Sequence, residues 1–126
     1  MAELIYKILS YKLVGLAYKI DKELGFGHKE RTYSIAFEEL LKDAGILYKK
    51  EVYFPIKIND KVVEKKFFDF LIDDKIIIEF KTGKVQYKQV FAQLFQYLKL
   101  KDLKLGLIIR FRQEGVEVKR VLNIRN

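Results

Sequence analysis

Phe68-Asp69-Phe70-Leu71-Ile72-Asp73-Asp74-Lys75-Ile76-Ile77-Ile78-Glu79-Phe80-Lys81 reads as two apolar strands folded back on each other at Asp73-Asp74. Charged residues rarely sit inside such runs unless they are paired, metal-bound or functional. Strand alternation places Glu79 and Lys81 on one face of their strand and Phe80 on the other. Across the hairpin, Asp69 approaches the same spot. The run Ile76-Ile77-Ile78 is apolar on both faces, which predicts a strand central in its sheet.

Working outward, Tyr48 to Ile58 alternates apolar and polar residues and predicts another strand, with Pro55 marking a sheet edge or a bulge. Asn59-Asp60-Lys61 supplies a hairpin turn into a return strand over 62–72. The third strand covers 75–81, and Thr82-Gly83 breaks it. Upstream, Leu4, Ile5, Ile8, Leu9, Leu13, Leu16, Ile20 and Leu24 recur at helical steps, predicting a helix over about 3–24 that Gly25-Phe26-Gly27 stops. A second helix runs from about Lys29 to Ala44, with Tyr33, Ala36, Phe37, Leu40 and Leu41 on one face and Gly45 at its end. Downstream, Gln86 to about Lys99 is a helix with an apolar line of Val90, Phe91, Leu94, Tyr97 and Leu98. Leu105–Phe111 and Val116–Ile124 complete the strands. The predicted order is ααβββαββ, an α/β domain with a mixed sheet flanked by helices.

The chain has 126 residues, half of them apolar, with one Pro and seven Gly. That composition is globular and predicts a single domain over 1–126. The absence of cysteine excludes disulfides and thiolate zinc sites and fits a reducing cytoplasm. Charged residues punctuate the first helix, so neither a signal peptide nor a membrane span is read there. A net charge of +8 favours polyanionic partners, nucleic acid first among them. The plainer reading of that charge is a lysine-rich surface.

Asp69, Glu79 and Lys81 are the strongest candidates for chemistry. A hard cation such as Mg²⁺ or Mn²⁺ takes a few carboxylate oxygens and fills its other positions with water and substrate phosphate. A nearby ammonium then orients the nucleophile or steadies the developing negative charge. The alternative is a cross-strand salt bridge from Lys81 to one acid. That would leave the other acid buried without a cation, at a cost of roughly several kcal/mol. Glu30 lies in the first turn of the second helix, where the dipole favours a carboxylate whatever its role. Gln93 and Tyr97 lie four apart, on one face of the helix after the acidic strand. A Gln on an apolar stripe needs a hydrogen-bond partner, and a helix packed on the strand end aims it at a metal site or a phosphate. His28, the lone histidine, sits in a glycine-bounded turn where solvation explains it. The lysine runs at 49–50, 65–66 and 99–104 are solvated faces, or a phosphate-backbone grip where they share a face with the acids.

Gly27-His28-Lys29-Glu30-Arg31-Thr32-Tyr33 resembles the signature of the GxxExxY protein family. The resemblance runs from about residue 10 to 122, through the acidic strands, the segment ending Tyr97-Leu98-Lys99, and Leu105-Gly106-Leu107-Ile108. That family is similar to the PD-(D/E)xK (restriction-endonuclease-like) nuclease superfamily. The resemblance implies an αβββαβ core and metal-dependent cleavage of nucleic acid. Carried onto this chain, it makes Asp69 the first acid and Glu79 with Lys81 the ExK pair. Glu30 becomes the helix glutamate that joins the metal site, and Gln93-Leu94-Phe95-Gln96-Tyr97 a QxxxY motif. Two positions depart from the pattern. Phe26 stands where relatives have Pro, and Arg110-Phe111 replaces an Asn-Phe strand end, offering a phosphate contact.

The expectation is a Mg²⁺- or Mn²⁺-dependent nuclease acting on DNA. Asp69, Glu79 and Glu30 would bind metal, Lys81 would position water or oxyanion, and Gln93 and Tyr97 would orient substrate. The site is expected where the hairpin and the second helix meet. Two rivals share the fold: an inactive nucleic-acid-binding module, and a protein-interaction subunit using exposed Tyr and Phe. A homodimer would let two sites cut two strands.

Overall fold

The computed structural model describes residues 5–124. The elements follow in the order α1 (Lys7–Leu24), α2 (Glu30–Ala44), β1 (Tyr48–Ile58), β2 (Lys61–Ile72), β3 (Ile76–Thr82), α3 (Tyr87–Lys101), β4 (Leu105–Arg112) and β5 (Gly115–Leu122). The five strands lie side by side in chain order, antiparallel except for the β3–β4 pair, which α3 connects as a parallel crossover. This is the expected ααβββαββ mixed α/β architecture. The all-apolar β3 is the middle strand, as its sequence requires.

Two helical layers cover the sheet. One core gathers Leu13, Ala17 and Ile20 of α1 and Tyr33, Phe37 and Leu41 of α2 on Phe70, Ile78, Phe80 and Ile109. The other packs Leu94, Tyr97 and Leu98 of α3 on Phe68, Ile77 and Ile108. Both faces of β3 are therefore dry, and any charged side chain on it must find its partner at the strand's end.

The first helix begins later than its pattern predicts. Positions 3 and 4 of that expectation lie outside the described residues; within them Tyr6 takes a left-handed φ of 51° and α1 starts at Lys7. Arg120 of β5 holds this start, donating to the Ile5 carbonyl at 3.0 Å and to Ser10 Oγ at 3.3 Å. The last strand ends earlier than expected, at Leu122. Asn123 turns inward instead, its amide Nδ2 donating to the Leu103 carbonyl at 2.9 Å.

Two backbone features position the site. The β1–β2 ladder runs from Tyr48↔Ile72 to Ile58↔Lys61, whereas the β2–β3 ladder stops at Phe70↔Ile78. The first hairpin thus leaves the sheet as a two-stranded ribbon. Pro55 lies on the edge strand, and a register shift follows at Ile56/Lys57, so both meanings of that proline apply. The departure point is Asp69. Phe70 belongs to the α1/α2 core and Phe68 to the α3 core, although residues two apart on a regular strand share a face. The ribbon changes face there, and Glu51 on the paired strand takes a φ of +53°.

Gly106 lets α3 approach β4 closely. A Cβ built there would meet the Leu94 side chain at 2.7–3.1 Å. Gly106→Ala is expected to lower stability by about 1–3 kcal/mol through overpacking. A thermal unfolding midpoint unchanged from wild type would contradict that close approach.

Candidate active site

Where β2 leaves β3, the backbone N–H of Phe80 loses its strand partner and donates instead to Asp69 Oδ2 at 2.7 Å. The missing ladder bond thus fixes the Asp69 carboxyl beside Glu79. Continuing the register by one residue sets these two acids opposite each other. Phe80 points into the α1/α2 core, so Glu79 and Lys81 point the other way, as alternation predicts. Lys81 Nζ lies 3.6 Å from Glu79 Oε2.

The electrostatics show what this cluster lacks. Burial pushes the Glu79 carboxyl up to about 9. The Asp69 charge and a hydrogen bond between the two carboxyls add to the shift, as does the more distant Glu30; Lys81 pulls the other way. One ammonium therefore does not balance the acids. Glu79 is therefore held in its protonated form, hydrogen-bonded to Asp69. A divalent cation is the species that replaces such a proton.

Glu30, Glu79, Lys81 and Gln93 line one cleft of about 270 Å³, together with Lys66, Phe68, Lys84 and Gln89. Four of the predicted residues, from three elements, are thus brought together; Asp69, held by the Phe80 N–H beside Glu79, does not itself line the cleft. Tyr97 is set apart. Its ring is buried in the α3 core, edge-on to Phe54 and Phe68 at 5.4 and 5.1 Å, and burial raises its hydroxyl above the usual range. The four-residue spacing aims Gln93 at the cleft and sinks Tyr97 beneath its floor.

Glu30 reaches the cleft through Tyr33, one helical turn further on. The fully buried Tyr33 ring stacks on Phe111 at 3.9 Å and 4°. Its hydroxyl donates to the Gly25 carbonyl at 2.6 Å and accepts the His28 N–H at 3.4 Å. Between them Gly27 has a φ of +97°, which favours glycine. The glycine turn, the glutamate and the tyrosine therefore form one device that presents Glu30. His28 is part of it: Nε2 lies 2.9 Å from the Leu24 carbonyl and must be its protonated donor, capping the end of α1. Tyr33→Phe is expected to cost about 1 kcal/mol, seen as a drop of about 3–5 °C in the unfolding midpoint. An unchanged midpoint would show that the clamp is not formed.

Lys66, Lys84 and Gln89 also line the cleft and were not singled out individually. The 65–66 run carried a signal, because only Lys66 faces the α3 side, opposite Phe54. Arg110, the departure at the β4 end, pairs with Glu117 at 3.6 Å, and Glu117 also accepts from the Tyr87 hydroxyl and from Arg112. Its Nε is buried without a partner among the described residues.

No group of three or more His, Cys, Asp or Glu side chains among the described residues gathers around one point as a metal cage. Mg²⁺ does not require one: it commonly takes one or two carboxylates and completes its octahedron with water and substrate phosphate. The facing Asp69 and Glu79 carboxyls, with the proton on Glu79 for a cation to displace, fit that mode.

A mixed sheet that delivers an Asp and a Glu-x-Lys pair to one cleft defines the restriction-endonuclease-like class of folds. The chain belongs to the PD-(D/E)XK nuclease superfamily, a model of which matches residues 7–121. Members of that superfamily are usually nucleases and generally use Mg²⁺ or Mn²⁺. Among solved structures, the crystal structure of SSO0001 is similar in fold, with a TM-score of 0.54 at 21% identity. The match covers 98% of this chain and 60% of that one, so the present chain spans well under two thirds of SSO0001. No curated protein matches the sequence. No described helix is long and apolar enough to cross a membrane.

Proposed function

We propose that the chain, acting as one domain, is a Mg²⁺- or Mn²⁺-dependent nuclease that hydrolyses phosphodiester bonds of nucleic acid, DNA above all. The observation that carries this reading is the Glu79 carboxyl held against Asp69, with Lys81 at 3.6 Å the one ion-pair partner of either acid among the described residues. Superfamily membership supports the same chemistry.

Asp69 and Glu79 would hold the cation, with Glu30 as a further carboxylate at the cleft wall. When bound, the metal supplies charge neutralisation for the phosphate and lowers the pKa of a water. The Phe80 N–H fixes the Asp69 carboxyl, so one ligand is oriented before anything binds. Lys81, 3.6 Å from Glu79, would present its ammonium to the attacking water or the phosphate oxygens. Gln93 is free to orient the substrate from the α3 wall. Tyr97 packs the floor that sets the height of Gln93, and acts on substrate only through that position.

The test is incubation of the purified protein with labelled single- and double-stranded DNA and RNA in Mn²⁺ and in chelator. Cleavage confined to Mn²⁺ and lost in Asp69→Ala is the expected result. No cleavage, or cleavage that survives that substitution, would overturn the reading.

A further inference from the structure

The wall of α3 beyond the acids has a pattern that the metal site does not use. Gln89, Gln93 and Gln96 follow at steps of four and three, so they form one stripe along the helix, and Leu100 continues it. Their amides make no hydrogen bond with any described residue. The first two line the acidic cleft; Gln96 and Leu100 line a second, larger groove of about 600 Å³ with Phe54, Ile56, Lys57 and Lys99. The two spaces adjoin, because Phe54 of the second is the cross-strand partner of Lys66 in the first.

The result is one trough. Its floor is the α3-facing side of the β1–β2 ribbon, and its far wall is the glutamine stripe. Lysines are spaced along it: Lys84 and Lys81 at the acidic end, Lys66 midway, Lys57 and Lys99 at the far end. Lys57, Lys66 and Lys84 have no ion-pair partner among the described residues, and Lys99 rests only against the Phe95 ring. No acidic residue lines the far groove. A continuous cationic trough with unused amide donors matches a polyanion of repeating charge.

We infer that this trough carries a single nucleic-acid strand out of the metal site, with its phosphates on Lys66, Lys57 and Lys99 and the glutamine amides on its sugar and base edges. The inference rests on the nuclease reading for its polarity but adds a path and a strandedness to it. Ten residues of helix separate Gln89 from Lys99, roughly 15 Å at about 1.5 Å per residue. That accommodates about four nucleotides at the stacked spacing of about 3.4 Å. The lysines follow one path along the ribbon and helix, which matches the phosphates of one backbone, and the duplex comparison below reads strandedness directly.

The test uses the full chain in chelator, so that nothing is cut, with fluorescence anisotropy of a labelled oligothymidylate of about a dozen residues. A labelled blunt hairpin duplex serves as the comparison. The double variant Lys57→Ala/Lys99→Ala is expected to bind the single strand about tenfold more weakly. Its log Kd against log salt slope should fall by about 1.4, two phosphate contacts at about 0.7 each. Hairpin binding should change less than about twofold. Unchanged single-strand affinity and slope, or an equal loss for the hairpin, would overturn the inference. Both lysines are exposed, so the variant's unfolding midpoint should match wild type. Mn²⁺-dependent hydrolysis of bis(p-nitrophenyl) phosphate, too small to reach Lys57, should be unaffected by the double substitution. That readout keeps the two ideas apart: a failed groove leaves the hydrolysis standing, and absent hydrolysis leaves the binding result standing.

Discussion

Replacing Asp69 with Ala, or Glu79 with Gln, is expected to lower Mn²⁺-dependent cleavage by about a thousandfold or more. A bound cation contributes several kcal/mol of transition-state stabilisation, and each 1.36 kcal/mol is about tenfold in rate. The two substitutions act differently on the folded protein. Asp69→Ala leaves the Phe80 N–H without its acceptor at the point where β2 departs, so it also costs about 1–3 kcal/mol of stability. Glu79→Gln keeps the shape, removes the titrating carboxyl, and leaves Lys81 without its anion at 3.6 Å. Activity should therefore fall in both, while stability falls only in the first. Steady-state cleavage of a labelled strand, beside thermal unfolding of the same samples, separates these effects. A Glu79→Gln protein that cleaves within about tenfold of wild type would contradict the assigned role.

The second large effect is on stability against pH, and its sign is unusual for a carboxylate. In the unfolded chain Glu79 ionises near 4.5; in the fold it keeps its proton up to about 9. Between those values the unfolded state binds fewer protons than the native state, so stability falls as pH rises. The slope approaches about 1.4 kcal/mol per pH unit, or about 3–5 °C of unfolding midpoint per unit for a chain of this size. Other shifted groups act outside that window. Glu38, lowered by hydrogen bonds from Tyr48 and Lys50, and Glu117, lowered by Tyr87, favour the fold above the usual carboxylate range and lose that effect only in acid. Tyr48 is raised to about 12 and matters only in strong base. Metal-free protein should thus lose stability from about pH 5 to pH 9, and Glu79→Gln should flatten the curve and be the more stable protein at pH 8. Mn²⁺ at about one hundred times its pH 8 Kd should restore about 2.7 kcal/mol there, and the same concentration should restore less at lower pH, where the proton competes. A wild-type midpoint flat across this range would show that the acids are not held together as described.

The layers and their order were legible because each rests on a strong periodicity: β3 apolar on both faces, α2 and α3 with unbroken apolar lines. The Asp69/Glu79/Lys81 trio was legible because charge inside an apolar strand is costly and invites an explanation. The face change at Asp69 was not, since nothing in Phe67-Phe68-Asp69-Phe70 marks which phenylalanine enters which core. That change decides where the carboxyl points. Tyr97 shows a similar limit: the sequence placed it both in the apolar line of α3 and beside Gln93, and the packing of Phe54 and Phe68 beneath α3 decides for the apolar line. The late start of α1 was hidden as well, because Leu4, Ile5 and Ile8 keep helical spacing where the chain bends at Tyr6; Ile8 is left exposed. Conversely, the glycine-to-tyrosine signature was visible as letters, and the Tyr33 clamp supplies its physical reason.

Titration calorimetry of Mn²⁺ into the metal-free protein near pH 7, repeated in buffers of different ionisation enthalpy, tests the site most directly. Binding to the Asp69/Glu79 pair must expel the proton that Glu79 holds, so the expected result is saturable heat with close to one proton released per ion bound. Both the heat and the proton release should be lost in Asp69→Ala, while Glu79→Gln should bind Mn²⁺ more weakly and without proton release. Absent heat, or binding that releases no proton and survives Asp69→Ala, would contradict a metal site at this pair.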